Sequence, residues 1–345
     1  MRDGDVLILT GQEVNALLAG RETELMDVVR RAYIAHAAGM SALPHSIFLR
    51  FPEEQRNRII ALPAYLGDEF GVAGVKWVSS FPANSEKGLD RASAVLILNS
   101  TLTGRPEAII EGSLISAKRT SASAALAAQS LQNGKPMNRV GILGGGLINF
   151  EIVRFLLAAL PLINALDVFD LDLMKANHFK ERCKATFGLE VEVLKDVETL
   201  LGNSPLISMA TTAIQPHISD LSACQPGSTI LHISLRDLTP EVILSCDNVV
   251  DDIDHVCRAQ TSVHLAEQLV GNRDFIRCTL ADVLRGDAPT RKDAEGITVF
   301  SPFGVGVLDV AVGKLVCDLG IEQERGTLLN SFFPDSWTNG SHRPS

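Results

Sequence analysis

The sequence predicts an α/β chain of two units: a doubly wound parallel sheet, and an α+β unit with a mostly antiparallel sheet. Three observations carry the prediction. Short β-like runs crowd residues 43–111, strands and helices alternate at βαβ spacing after residue 138, and a glycine-rich turn joins the first strand of that alternating part to its first helix. At 345 residues the chain is long for one domain and short for three.

The elements follow in order. In "LTGQEVNALLAG", Thr10 and Glu13 stand in capping-box register ahead of an apolar helix face that Gly20 closes. In the next segment Leu25, Val28, Val29, Ala32, Tyr33 and His36 share one helical stripe ended by Gly39, which makes His36 a core-edge histidine. "SIFLRF", "RIIALPAYL", "GVAGVKWVSSF", "ASAVLILNS" and "PEAIIEG" read as strands, with "TLTGRP" a turn between the last two. "GSLISAKRTSASAALAAQSL" is a long small-residue helix connecting the units. "NRVGILGG", "ALDVFDLD", "LEVEVL", "LISMATTA", "STILHISL" and "NVVDDI" then supply the parallel strands. The end, from about residue 334, reads as a frayed terminus.

Composition narrows the function. Apolar residues make up 46% and charged residues 21%, without repeats or charge blocks, as in an ordinary globular protein. A net charge of −10 and a pI near 5.3 argue against a nucleic-acid or anionic-membrane partner and favour a small-molecule ligand. No apolar run is long enough for a membrane span, and "MRDGDVLILTGQEV" is too short in its apolar part for a secretory signal, so a cytoplasmic protein is expected. The six cysteines form no C-x-x-C pair and read as reduced, mostly buried thiols. In "VVDDIDHVCRA" the dense acids read as strand-end helix caps, and no metal is expected.

"GILGGGLINF" follows a strand and opens a helix, the context in which backbone N–H groups and the helix dipole hold a dinucleotide pyrophosphate, as in a Rossmann domain. Gly144 supplies the tight turn and Gly146 the close approach, and Gly145 and Leu147 complete the expected cofactor-binding turn. Asn149 stands where a third glycine is usual and loosens the motif without cancelling it. Asp170 ends the second strand, where a carboxylate accepts from both ribose hydroxyls and repels a 2′-phosphate; NAD is favoured over NADP.

Cations mark the first unit: Arg50, Lys76, Arg91, and Lys118 with Arg119. Lys76 sits in an apolar strand between Val75 and Trp77, where an unpaired ammonium is costly, and a ligand carboxylate would partner it. In the second unit Asp237 follows a strand at the carboxyl edge where α/β sheets bind ligands; the alternative is an N-cap for the helix beginning near Pro240.

The segments "GVKWVSSFPANSEKGLDRASAVLILNSTLTGRPEAIIEGSLISAKRTSASAALAA", "GILGGG", "ISLRDLTPEVI" and "SPFGVGVLDVAV" resemble the ornithine cyclodeaminase and mu-crystallin family, and most closely its siderophore-pathway branch that releases 2,3-diaminopropionate. The resemblance implies a homodimer in which an NAD-binding Rossmann domain (126–304) is inserted in an α+β substrate and dimerisation domain (1–125 plus 305–345). It implies that Lys76 and Arg119 bind a substrate carboxylate, and that Asp237, with Lys76, does the catalysis. It places Ala210, Thr211, Thr212 and Ser234, with Arg119 and Thr120, on the cofactor. Where cyclodeaminases carry an arginine this chain reads Pro44, His45, Ser46, and Arg50, on the same strand face, substitutes. The activity implied is NAD-dependent oxidative cleavage of N-(1-amino-1-carboxy-2-ethyl)glutamate, a tricarboxylate that Arg50, Lys76, Arg91 and Arg119 would hold. The alternatives are an ornithine cyclodeaminase, an alanine or opine-type dehydrogenase, and a mu-crystallin-like binder with little turnover.

Overall fold

The computed structural model describes residues 4–54, 56–132 and 137–334. The chain opens with β1 (Val6–Leu9), α1 (Gly11–Leu18) and α2 (Glu22–Ala37). The Glu13 carboxylate accepts from the Thr10 backbone N–H at 2.8 Å, the reach-back expected at the head of α1. There follow β2 (Ser41–Ala42), β3 (Ile47–Arg50), β4 (Arg58–Leu66), β5 (Val72–Ser80), β6 (Ala92–Asn99), β7 (Pro106–Glu111) and the connecting helix α3 (Gly112–Ser130).

The second half runs β8 (Arg139–Leu143), α4 (Leu147–Ala159), β9 (Ala165–Phe169), α5 (Leu173–Phe187), β10 (Glu190–Val193), α6 (Val197–Asn203), β11 (Leu206–Met209) and β12 (Thr229–His232). It continues through α7 (Pro240–Ser245), β13 (Asp247–Val250), α8 (Ile253–Val256), α9 (Ser262–Val270), β14 (Ile276–Thr279), α10 (Leu280–Arg285) and β15 (Thr298–Ser301). The last described elements are α11 (Gly306–Glu322) and β16 (Thr327–Leu329). The expected frayed end lies outside the described residues from 335 onward.

Two sheets result. The first has the order β16-β1-β7-β6-β5-β4-β2, with β3 also on β4, and is antiparallel except where β1 runs parallel to β7. The second is parallel throughout, in the order β10-β9-β8-β11-β12-β15-β13-β14. The chain leaves β8 toward β9 on one side and returns to β11 on the other, so the turn after β8 opens at the switch point where such sheets bind ligands.

Two helices position the site. On α3, Ser121, Ala122, Ser123, Ala124, Ala125, Ala127 and Ala128 are all buried, because small side chains let it pass between α2 and α4. Helix α11 is apolar nearly all round and lies on β4, β5 and β6; a Cβ on Gly313 would stand 2.2 Å from Leu96 Cδ2, so glycine sets how closely the helix seats. That approach buries Leu96 and Ile110 fully, each burial worth roughly 1.5–3 kcal/mol. It also carries Asp309, fully buried, onto the inner face of the first sheet.

Candidate functional site

The glycine turn is built for close contact. Gly144 has φ 96°, and a Cβ there would stand 2.7 Å from the Ala210 carbonyl oxygen, so only glycine fits. A Cβ on Gly145 would come within 3.1 Å of the Lys175 carbonyl oxygen, whereas one on Gly146 would meet nothing within 4 Å. Gly146 N-caps α4 without any side-chain hydrogen bond, which leaves the first N–H groups of the helix free for an anion. Leu147, the first residue of α4, is exposed. The open face at Gly146 and the uncapped helix together fit a dinucleotide pyrophosphate.

Asn149 corrects the sequence reading. Its side chain is fully buried, donates to the carbonyls of Leu143 at 2.9 Å and Gly144 at 2.7 Å, and accepts from Ser208 Oγ at 2.7 Å. It therefore clamps the glycine turn to β8 and β11 instead of loosening it. Asp170 accepts from the Gly145 N–H at 2.8 Å and from the Asp172 N–H at 2.9 Å, which sets its carboxylate against the turn with acceptor capacity to spare.

Lys76 points from β5 toward α11 and is 2% exposed. The expected ligand carboxylate is not needed to neutralise it: Asp309 lies 2.8 Å from Nζ, and Ser116 Oγ 3.1 Å away. Asp309 also takes Arg119 Nε at 3.0 Å. Two cations thus share one carboxylate and keep a net positive charge. Burial, then the neighbouring Arg119, pulls the Lys76 pKa down from 10.5 to about 8, against the pull of Asp309. Thr120, next to Arg119 on α3, is half-buried.

Asp237, fully buried, is the centre of a second cluster. Thr211 Oγ1 donates to it at 2.5 Å, Ser234 Oγ donates to its other oxygen, and His217 Nε2 lies 3.2 Å away. The Asp237 backbone N–H donates to His232 Nε2 at 3.1 Å, and that ring nitrogen lies 3.3 Å from the carboxylate. Burial opposes ionisation here, but His232, Ser234 and Thr211 outweigh it and hold the carboxyl well below the usual range. The N-cap of α7 is Thr239, so the alternative reading of Asp237 as that cap does not hold. Ala210 adjoins the glycine turn and Thr212 is exposed beyond it.

Arg50 lines a cleft of about 200 Å³ with Ser46, Phe48, His255, Arg258, Ala259 and Phe303. Ser46 and Arg50 therefore do face the same space. Arg50 and Arg91 also share the electrostatic surroundings of Arg58 and Arg236. A larger cavity, of about 410 Å³, lies between the β6–β7 turn and α11 and contains none of the expected residues.

Sequence reasoning missed Asp309, Arg58, Arg236 and His217. An aspartate inside the apolar run "GVGVLDVAV" was the available signal for Asp309; Arg58 and Arg236 gave none, because each reads as an ordinary element-end charge. Among the acids of "VVDDIDHVCRA", Asp252 does cap α8, accepting from the His255 N–H at 2.8 Å, and also meets His36 Nε2 at 3.0 Å. The six cysteines are unpaired.

The chain is 28% identical to the N-((2S)-2-amino-2-carboxyethyl)-L-glutamate dehydrogenase of Staphylococcus aureus, over 95% of this chain and 99% of that one. Its fold matches the Thermococcus litoralis Δ1-pyrroline-2-carboxylate reductase solved with NADH and L-proline, with a TM-score of 0.86, 25% identity, and 93% and 99% of the two chains covered. It also matches an archaeal alanine dehydrogenase dimer with bound NAD, with a TM-score of 0.85, 27% identity, and 95% and 100% covered. Residues 5–324 match the family description as a whole, and the chain belongs to the ornithine cyclodeaminase/mu-crystallin family.

Proposed function

We propose that the protein is an NAD-dependent dehydrogenase that cleaves N-(1-amino-1-carboxy-2-ethyl)glutamate to 2,3-diaminopropionate and 2-oxoglutarate. The observation that carries this reading is the pair of cationic basins, Lys76 with Arg119 and the arginines around Arg50, in a chain whose net charge is −10. A substrate with three carboxylates has a use for both.

The cofactor is NAD, which the turn Gly144–Leu147, Asp170 and the residues Ala210, Thr211, Thr212, Ser234, Arg119 and Thr120 would hold. When bound, NAD+ supplies the hydride acceptor for the C–H beside the substrate nitrogen. The chain's residues do the rest. Lys76 and Arg119 fix the carboxylate of the glutamate part, which orients that C–H. Asp237, ionised at neutral pH, stabilises the positive charge that develops on the C=N carbon and nitrogen. It then takes a proton from the attacking water, directly or through Thr211 or Ser234, so that the carbinolamine collapses to keto acid and amine.

A cyclodeaminase would have to place the cationic side chain of ornithine in this site, and the arginines oppose that. An alanine dehydrogenase, as the archaeal relative is, would leave them without a partner. We further propose a cytoplasmic homodimer, with the substrate unit 1–125 plus 305–345 supplying the interface. The outer face of the first sheet supports it: Ala61, Trp77 and Val95 are register partners, as are Pro63, Val75 and Ile97, and Trp77 is 40% exposed. No helix among the described residues is long and apolar enough to cross a membrane.

The test is NADH absorbance after mixing protein and NAD+ with the glutamate adduct, ornithine or alanine separately, with product analysis. Stoichiometric NADH and 2-oxoglutarate from the adduct alone supports the proposal. Proline from ornithine without net NADH would replace it with the cyclodeaminase reading.

A further inference from the structure

Four arginines, Arg50, Arg58, Arg91 and Arg236, stand close enough for their charges to act on one another, beside the cleft that Arg50 lines. Arg50 ends β3 and Arg58 begins β4, and the two are register partners across that antiparallel pair. Arg91 directly precedes Ala92, which pairs with Ser80, the β5 partner of Arg58, and Arg236 comes from the turn after β12. Burial, then the charges of Arg236, Arg91 and Arg50, hold Arg58 below the ordinary guanidinium range. Burial, then Arg50 and Arg91, act likewise on Arg236, with Asp237 alone pulling the other way.

Among the described residues no carboxylate forms an ion pair with any of the four, and Asp237 is already committed to Thr211, Ser234 and His217. The Nε of Arg58 is buried and has no hydrogen-bond partner, a state that folded proteins rarely keep without a use for the donor. Arg236 gives one Nη to the Ala259 carbonyl at 2.6 Å. Leu235, Ala259 and Gln260, which flank that contact, hold left-handed backbone with φ of 66°, 54° and 56°, strain of the kind kept where a side chain must be aimed. The Arg50 guanidinium lies over the Phe48 ring, 5.7 Å from its centroid, on the cleft wall. Lys76 and Arg119 differ in kind, because Asp309 partly neutralises them.

We propose that Arg58 and Arg236, with Arg50 and Arg91 beside them, form a second carboxylate subsite, built jointly by both sheets, that selects acidic amino-acid derivatives over neutral and cationic ones. The assignment rests on the reading that this cleft receives an amino-acid substrate. Arg58 and Arg236 make the discrimination, since Arg58 holds the unpartnered buried donor and Arg236 brings the second sheet to the same anion. A substrate carboxylate there draws the two sheets' contributions together, whereas an ammonium would be repelled by all four.

The experiment measures Kd for 2-oxoglutarate and for pyruvate on the full-length protein loaded with NADH, by change in NADH fluorescence. The wild type should prefer the dicarboxylate by about tenfold or more, equivalent to about 1.4 kcal/mol. In Arg58→Gln and in Arg236→Gln that preference should fall to near parity while pyruvate binds as before, and Arg58→Lys should recover part of it. Unaltered NADH affinity in each variant reports that it is folded. A wild type without preference, or a preference that survives both glutamine variants, overturns the subsite. The reaction assignment fails separately: no NADH from the glutamate adduct, with an arginine-dependent dicarboxylate preference intact, leaves the subsite standing for another acidic substrate.

Discussion

Lys76 Nζ lies 2.8 Å from the carboxylate of Asp309, across the boundary between the first sheet and the helix that returns to it late in the chain. The two residues are far apart in sequence, and neither tolerates the interior alone. Their pairing, shared with Arg119, is what allows a carboxylate-binding cation to be stored inside an apolar layer before substrate arrives.

The first prediction concerns pH. With its pKa pulled to about 8, Lys76 loses its proton, and its hold on a carboxylate, just above neutrality. The kcat/KM should therefore fall on an alkaline limb near that value, and Lys76→Arg should move the limb away. The stability sign is opposite: the folded chain releases this proton before the unfolded chain does, so between about 8 and 10.5 this group's contribution rises with pH. A profile flat to well above this region in the wild type would show that Lys76 does not bind the substrate.

Asp309→Asn should be severe. It leaves Lys76 and Arg119 buried beside each other without their shared anion, a loss of about 3–5 kcal/mol for a broken buried pair. Chemical denaturation measures it; a loss below about 1 kcal/mol, the scale of an exposed pair, would contradict the burial argument.

Much of this molecule was legible from its residues, and the exceptions share a cause. The strands β3 to β7, the helix α3 and the glycine turn announce themselves through local pattern: alternation, small-residue composition, or a strand–glycine–helix order. Short β1, β14 and β16 carry too few residues for a period to show, and they exist because a neighbouring strand pairs with them. Site residues divide the same way. Asp237 and Lys76 stand out by violating their local pattern. Arg58 looks like any strand-end charge, and its importance arises only when β3 pairs with β4 and sets Arg50 opposite it.

Asn149 provides a test of the clamp. Asn149→Ala removes two donors from buried carbonyls and the acceptor of Ser208, at about 1–3 kcal/mol for groups left unsatisfied. Because the freed carbonyls belong to the turn itself, NADH Kd should rise as well, by about tenfold. Fluorescence titration and thermal denaturation read the two effects. Loss of stability with unchanged NADH affinity would separate the clamp from the cofactor site.

Trp77→Glu tests the dimer. The substitution places a carboxylate in the middle of the apolar outer face, between Ala61 and Val95, and a two-fold interface would bring two such charges together. Sedimentation velocity should show a dimer for the wild type and a monomer for the variant. An unchanged dimer would locate the interface elsewhere.

Asp237→Asn isolates charge from shape. The amide keeps the volume of the buried side chain, and Thr211 and Ser234 remain beside it, but no ionised group is left to stabilise the developing cation or to accept the proton from water. Turnover should fall by about 10²- to 10⁴-fold, the usual worth of a positioned base, with NADH affinity retained. The acid side of the profile gives an independent check. Since His232, Ser234 and Thr211 hold the Asp237 carboxyl well below 3.8, its stabilising contribution is fully present above that value and is lost only as pH falls through the lower folded pKa. An acid limb of kcat/KM near neutrality must then come from another group and should persist, at reduced height, in the variant. Undiminished turnover in Asp237→Asn would remove this residue from the chemistry and leave it as the anchor of His217 and Thr211.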